Sequence, residues 1–171
     1  MSRSGYTDDP ENLALWRGAV NRAIQGKRGQ AFLRELAAAM DAMPQKTLAD
    51  SSFQTADGEF CTLGTVGAAR GLDMSGLVDL DDDEAYCDTD AVGKLFGIAP
   101  AMAAEIMFLN DEIQHGYDHI LVEICGPMRP VWPSFLDHRR WVHYKKEEGG
   151  PARWKHMRSW VEKNLAPSDS P

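Results

Sequence analysis

The sequence predicts a mainly α-helical fold of the α+β class, on three observations. Apolar residues recur at helical spacing over 13–43, 91–109 and 151–165, Gly and Pro fall at the ends of those stretches, and only short runs near 51–62 and 120–125 read as strand. The expected architecture is an N-terminal antiparallel helical hairpin, a short β-hairpin, small helix-turn-helix-like units and a C-terminal helix.

Asp9 is a good N-cap, Pro10 suits the first helical position, and Glu11 favours the positive end of the helix dipole, so a helix is expected to start there. Leu13, Trp16, Val20 and Ile24 form one stripe, and Gly26 ends it. A second helix carries Phe32, Leu33, Leu36, Ala37, Met40 and Met43 until Pro44 forbids continuation. With Gly26-Lys27-Arg28-Gly29 as the turn, the two stripes are expected to close on each other. Beyond Pro44, the runs 51–54 and 59–62 flank Thr55-Ala56-Asp57-Gly58, a β-hairpin signal; an isolated pair is marginal in water, so it is expected to lie against the helices. Residues 63–72 read as a short helix of small residues stopped by Gly71.

Asp90 is expected to cap a helix from Ala91 to Phe96, Gly97 to break it, and Pro100 to open another carrying Met102, Ile106, Met107 and Leu109. The outline Val92-Gly93-x-x-x-Gly97-Ile98 echoes Val66-Gly67-x-x-x-Gly71-Leu72, so two small units of one type are expected side by side. The β-branched run Ile120–Cys125, bounded by Gly126-Pro127, reads as a buried strand. The last helix, from Pro151 to Leu165, places Trp154, Met157, Trp160 and Val161 on one stripe. The expected division is a compact core over 1–112, a Pro-, Trp- and base-rich insertion over 113–149, a helix over 150–165 packing on the core, and a disordered tail over 166–171.

A chain of 171 residues, 43% hydrophobic and 26% charged, has room for one real core. No apolar run approaches the ~18–20 residues of a membrane span, and MSRSGYTDD lacks the apolar centre of a signal peptide, so a cytoplasmic protein with no membrane partner is expected. Cys61, Cys87 and Cys125 are odd in number and widely spaced, which suits packed thiols in a reducing compartment. Net charge is −8 and is segregated: Asp73 to Glu123 holds thirteen acids against Lys94 alone, whereas Arg129 to Lys163 holds nine bases against four acids. Such polarity bears on partners more than on fold. An acidic face can repel nucleic acid, imitate it, or neutralise the basic segment of the same molecule.

No catalytic or cofactor motif stands out, and neither an enzyme nor a cofactor is expected. Lys27 and Arg28 are a candidate anion contact or a solvated basic loop; the further glycines and Lys-Ser or Lys-Thr pair of a phosphate-cradling loop are missing. The run from Asp79 to Glu84 lacks the spacing of a calcium loop. The helix-turn-helix outline fails as a DNA reader, because Glu105, Asp111 and Glu112 would face phosphate without a cation. His115, Asp118 and His119 offer two imidazoles and a carboxylate, but Gly116 weakens the helix that would present them, and no metal is expected. Cys125 has no basic neighbour to activate it. Trp132 lies between Pro130 and Pro133, followed by His138-Arg139-Arg140-Trp141-Val142-His143-Tyr144-Lys145-Lys146. Bases interleaved with aromatics suit a single-stranded nucleic-acid surface, a protein interface, or a basic helix with Trp141 and Tyr144 turned inward.

The blocks Ser2-Arg3-Ser4-Gly5-Tyr6, Trp16-Arg17-Gly18-Ala19-Val20, Gly26-Lys27-Arg28-Gly29-Gln30-Ala31-Phe32-Leu33, Ala69-Arg70-Gly71-Leu72-Asp73-Met74, Phe96-Gly97-Ile98 and Asn110-Asp111-Glu112 stand in this order. In this the chain resembles a family of small proteins carried by bacteriophages and prophages of proteobacteria, with the likeness returning around Arg153 to Val161. Members usually pass from the Asn-Asp-Glu block to the last helix with far fewer residues, so 113–149 reads as an elaboration. The resemblance implies a phage accessory gene and carries no biochemical role of its own; a small, acidic, cofactor-free protein of that origin is expected to act in the host cytoplasm by binding and blocking a host defence system, of anti-CRISPR or anti-restriction type. Its partner would be a host protein or nucleoprotein complex. Asp79, Asp81, Asp82, Asp83, Glu84, Asp88, Asp90, Glu105, Asp111 and Glu112 would form an acidic, nucleic-acid-mimicking surface. Trp132, Arg139, Arg140, Trp141, Tyr144, Lys145 and Lys146 would supply anchors. The alternative is a nucleic-acid-binding regulator working through 139–146, with Lys27 and Arg28 in support.

Overall fold

Gly26 alone separates the first two helices of the chain, α1 (Leu13–Gln25) and α2 (Lys27–Ala42). Its backbone is extended, at φ −69° and ψ 154°, and it serves as the N-cap of α2. Lys27, Arg28 and Gly29 are therefore the first turn of α2 and not a loop, which corrects the expected four-residue hinge. One residue is shorter than the two to five of an αα-hairpin. The helices do meet, but α1 lies chiefly on the later helix α5 (Pro100–Asp111) and α2 chiefly on α3 (Thr62–Arg70). This is a computed structural model, and it describes residues 13–77, 87–111, 114–116, 119–123, 139–143 and 149–167; the start expected at Asp9-Pro10 lies outside them.

Most of both predicted stripes is buried: Val20 and Ile24 from α1, and Phe32, Leu33, Leu36, Ala37 and Met40 from α2, share one core, with Trp16 and Met43 half-buried. Gln30, also buried, donates to the Ile24 carbonyl and to the Asn164 carbonyl, each at 2.9 Å, and so staples three helices. Its Oε1 accepts the Ala166 N–H at 2.7 Å, which anchors the first residue of the segment expected to be a disordered tail; residues 168–171 lie outside the described ones.

Between 43 and 61 the backbone is a loop in which the expected β-hairpin is reduced to a turn closed by a single bridge. Gln54 and Phe60 make one isolated bridge around a turn in which Gly58 adopts φ 83°. Thr55 N–H donates to the Glu59 carbonyl at 2.9 Å and Cys61 N–H to the Phe53 carbonyl at 3.3 Å on either side of it, and among the described residues the pairing runs no further. Cys61 is the N-cap of α3 (Thr62–Arg70), its Sγ accepting the Gly64 N–H at 3.4 Å. Ala49 N–H donates to the Phe60 carbonyl at 2.9 Å.

The echoed glycine pattern is a helix-ending device. In α3 and in α4 (Thr89–Phe96) the residues Gly71 and Gly97 are left-handed, at φ 67° and 72°. Leu72 N–H returns to the Gly67 carbonyl and Ile98 N–H to the Gly93 carbonyl, both at 2.9 Å, the six-to-one bond of a Schellman cap. The elements that follow diverge. A 3-10 turn at Ser75–Leu77 follows α3, whereas α5 (Pro100–Asp111) follows α4 at a bend of 103°. The two motifs are not twin units, and α3 and α4 each pack on α5. Asp88, rather than Asp90, caps α4, accepting the N–H groups of Asp90 and Ala91 at 2.9 and 3.2 Å.

Three short antiparallel stretches, β1 (Gln114–Gly116), β2 (His119–Glu123) and β3 (Arg139–His143), run in the order β1-β2-β3, with Ile120 opposite Val142. The strand expected from Ile120 overlaps β2, while Ile124 and Cys125 lie outside the described residues. Arg139–His143 is extended, so these five residues of the basic segment are not the helix considered above. Helix α6 (Gly149–Asn164) buries Met157 and Val161, with Trp154 and Trp160 half-buried beside them. Cys61 and Cys87 are buried free thiols. The described residues are thus mainly helical, and no single helix among them is long and apolar enough to cross a membrane.

Two exposed ion pairs link the helices: Arg70 to Glu35 at 2.6 Å and Arg158 to Asp41 at 2.9 Å. Hydrogen bonds from Arg70 hold the Glu35 carboxyl below the ordinary carboxylate range against a smaller opposing effect of burial, and Arg158 does the same for Asp41. A depressed folded-state pKa contributes stability above the unfolded value that is lost as pH falls through the folded one. Stability at low salt should therefore decline below the usual carboxylate range. Glu35→Gln should flatten part of that acid limb, by no more than about 1 kcal/mol because solvent screens the pair. Urea midpoints measured against pH check this, and an acid limb of unchanged shape in the variant would count against the pairing.

Candidate functional site

Two polar features stand out, and they differ in what they can do. The first is a buried hub around Arg153, which is only 2% exposed. Its Nε donates to the Asn110 carbonyl at 2.9 Å, Nη1 to the Leu48 carbonyl at 2.8 Å, and Nη2 to Asp50 Oδ2 at 3.1 Å. Asn110 Oδ1 accepts from the Thr62 N–H at 3.1 Å and the Thr62 hydroxyl at 2.8 Å, while its Nδ2 donates to the Ala49 carbonyl at 3.1 Å. Asp111 Oδ1 accepts from Asn110 Nδ2 and from the Ser51 N–H, at 3.0 and 3.2 Å. Burial pushes the Arg153 guanidinium below its ordinary pKa, and the charges of Asp50 and Asp111 pull it back; arginine stays protonated throughout. These bonds point at backbone and at one another, so the hub acts as a clamp. It fastens the end of α5 and the start of α6 to the loop at 48–51, with Leu48 N–H also donating to the Gly150 carbonyl at 3.2 Å.

The second feature is an open cleft of about 310 Å³ where α2, α3 and α4 converge, bordered by Arg28, Glu35, Arg70 and Lys94 over Phe32 and Phe96. Arg70 grips Glu35 with Nε and Nη2 at 2.7 and 2.6 Å and donates Nη1 to the Phe96 carbonyl at 2.9 Å. Its guanidinium also lies 5.8 Å from the Phe32 ring centroid, within cation–π range. A third feature, an apolar groove of about 460 Å³, runs between α2 and α3 past Met43, Phe60 and Ala68.

Of the anion contacts expected from sequence, Arg28 borders the cleft, whereas Lys27 lies outside it. Arg70 and Lys94 were missed. Their only sequence signal was a cation in the last turn of a helix that ends in glycine, a position that usually does no more than complement the dipole. Among the expected acidic residues, Asp88 and Asp90 are exposed at the start of α4. Glu105 is a correction: it is 0% exposed, because α5 is apolar on every side and leaves no solvent face for it. Asp111 is half-buried and committed to the hub, so it too leaves the proposed surface. Asp79, Asp81, Asp82, Asp83, Glu84, Glu112, Trp132, Tyr144, Lys145 and Lys146 lie outside the described residues, as do Asp118 and Cys125. Arg139, Arg140 and Trp141 fall in β3, and His115 and His119 in β1 and β2, elements described by their backbone alone.

No group of three His, Cys, Asp or Glu placed to hold a metal occurs among the described residues. Comparison of the chain with protein-family models, with curated proteins and with solved structures gives no match.

Proposed function

We propose that the protein is a phage-borne accessory factor that binds and blocks a host defence protein, of anti-CRISPR or anti-restriction type, without catalysing a reaction. One observation carries this. The alternative in which the acidic and basic portions merely neutralise each other has the bases of 129–163 pair with the acids of 73–123, and the bases described in full are those of α6. Among these, Arg158 pairs with Asp41 and Arg153 with Asp50, both outside that stretch, while the charge of Asp111, inside it, also acts on Arg153. Asp88 and Asp90 remain exposed. In this reading the acidic stretch from Asp79 to Asp90 occupies a nucleic-acid channel on the target, with the Trp132 to Lys146 segment as anchor. Complementarity of that type mainly speeds encounter and fades with salt.

The test is association kinetics with a host protein captured by the full chain. Changing Asp81, Asp82 and Asp83 to Asn and Glu84 to Gln should slow association several-fold at low ionic strength, and the difference should vanish at high salt. Identical kinetics for the two chains at low salt would end the mimicry reading. The second reading, a nucleic-acid-binding regulator, gains from the exposed Arg28 at the cleft. Oligonucleotide titration at two salt concentrations separates it, since phosphate contacts give a steep salt slope.

A further inference from the structure

We infer that the cleft bordered by Arg28, Arg70 and Lys94 binds a small phosphorylated ligand with two adjacent phosphoryl groups, a diphosphate. The inference does not depend on the host-factor reading. Three helices each bring one cation to this concavity, and among the described residues that line it Glu35 is the one carboxylate. Two features would oppose an anion here: that carboxylate, and the Phe96 carbonyl at the negative end of α4. Arg70 absorbs both, the carboxylate in a two-bond fork and the carbonyl through Nη1. Arg28 and Lys94 are left exposed, with no hydrogen bond or ion pair to any described residue.

Two cations on different helices, α2 and α4, without an ion pair to any described residue, suit a ligand with two linked anionic centres better than a single monoanion. Arg70 has five N–H donors and uses three, so two remain. Guanidinium is the group best shaped for phosphate oxygens. At about 30 Å³ per water, the space of about 310 Å³ matches a compact ligand and its waters and is far too small for a duplex.

Calorimetric titration of the full chain with inorganic pyrophosphate at low salt tests this. One-site binding is expected, with orthophosphate weaker. Arg28→Ala combined with Lys94→Ala should weaken pyrophosphate about tenfold or more, as loss of two charge-assisted contacts does. Both side chains are exposed, so the variant should keep its helical circular dichroism. Lys27→Ala combined with Arg34→Ala removes two exposed cations of α2 outside the cleft and should leave binding unchanged. Absence of binding, or an equal loss in the second pair, would overturn the inference. So would a single-stranded oligonucleotide that binds more tightly through Arg28 and Lys94, since the cleft would then belong to a nucleic-acid backbone.

Discussion

Arg153→Leu is expected to lower stability by about 3–5 kcal/mol, the range for breaking a buried, hydrogen-bonded charge. The direction follows from what the guanidinium leaves behind. Leucine fills part of the space but donates nothing, so the carbonyls of Leu48 and Asn110 lose a donor. A buried carbonyl without a partner costs about 1–3 kcal/mol. Asp50, with its side chain 48% exposed, rehydrates and accounts for little of the loss. Arg153→Lys should recover only a small part, because one ammonium cannot reach three acceptors set around a planar fork. With a loss of about 1 kcal/mol shifting Tm by roughly 2–4 °C for a chain of this size, the leucine variant should melt about 10 °C lower. Urea and thermal unfolding measure it, and a loss below about 1 kcal/mol would mean that the hub is not what joins α5 to α6.

Gly29→Ala is expected to cost about 2 kcal/mol or more, against the usual sign for this exchange. Inside a helix, alanine is ordinarily better than glycine by up to about 1 kcal/mol. Here a Cβ would meet the Ala23 carbonyl oxygen at 2.0 Å and the Ile24 carbonyl oxygen at 3.0 Å. Backbone atoms cannot turn aside as a side chain can, so α2 must move away from α1, and overpacking of this kind costs about 1–3 kcal/mol, occasionally more. Gly18→Ala is the contrast: the nearest atom there is the end of the Arg22 side chain at 3.2 Å, which can move, so a small gain is expected. Equal urea midpoints for the two variants would contradict so close a joint between α1 and α2.

Gly29 also shows where the sequence was read correctly and where it was not. A glycine at that position was visible as a break in side-chain bulk, and conformational freedom was the natural account of it. The reason is close approach: Gly29 is helical, and what it lacks is a Cβ. The glycines at 71 and 97 are the converse case. Their left-handed backbone is a local requirement, and the pattern of a glycine four residues earlier and an aliphatic residue just after was legible as a repeat, though as a helix cap and not as a folding unit. The expected β-hairpin shrank to one bridge with a backbone bond on either side, because Cys61 opens helix α3 and carries the strand no further.

Glu105 and Arg153 define the limit of sequence reading at the candidate sites. Each is a charged residue on a helix, and composition alone assigns such residues to solvent. Helix α5 is surrounded, so Glu105 has no outer face, and α6 enters the body at the point where two carbonyls and Asp50 converge on Arg153. The cleft is similar, since Arg28, Arg70 and Lys94 are far apart in the chain and meet only when three helices do.

The sequence by itself therefore determined which segments are helices, where glycine and proline end them, and which apolar stripes turn inward, because these rest on the backbone's own four-residue hydrogen bonding and on side chains one turn apart. The tertiary structure alone decided which charges are buried, which are paired and which are left facing a cleft. Those outcomes depend on partners such as Leu48 and Arg153, 105 residues apart, that no local pattern connects.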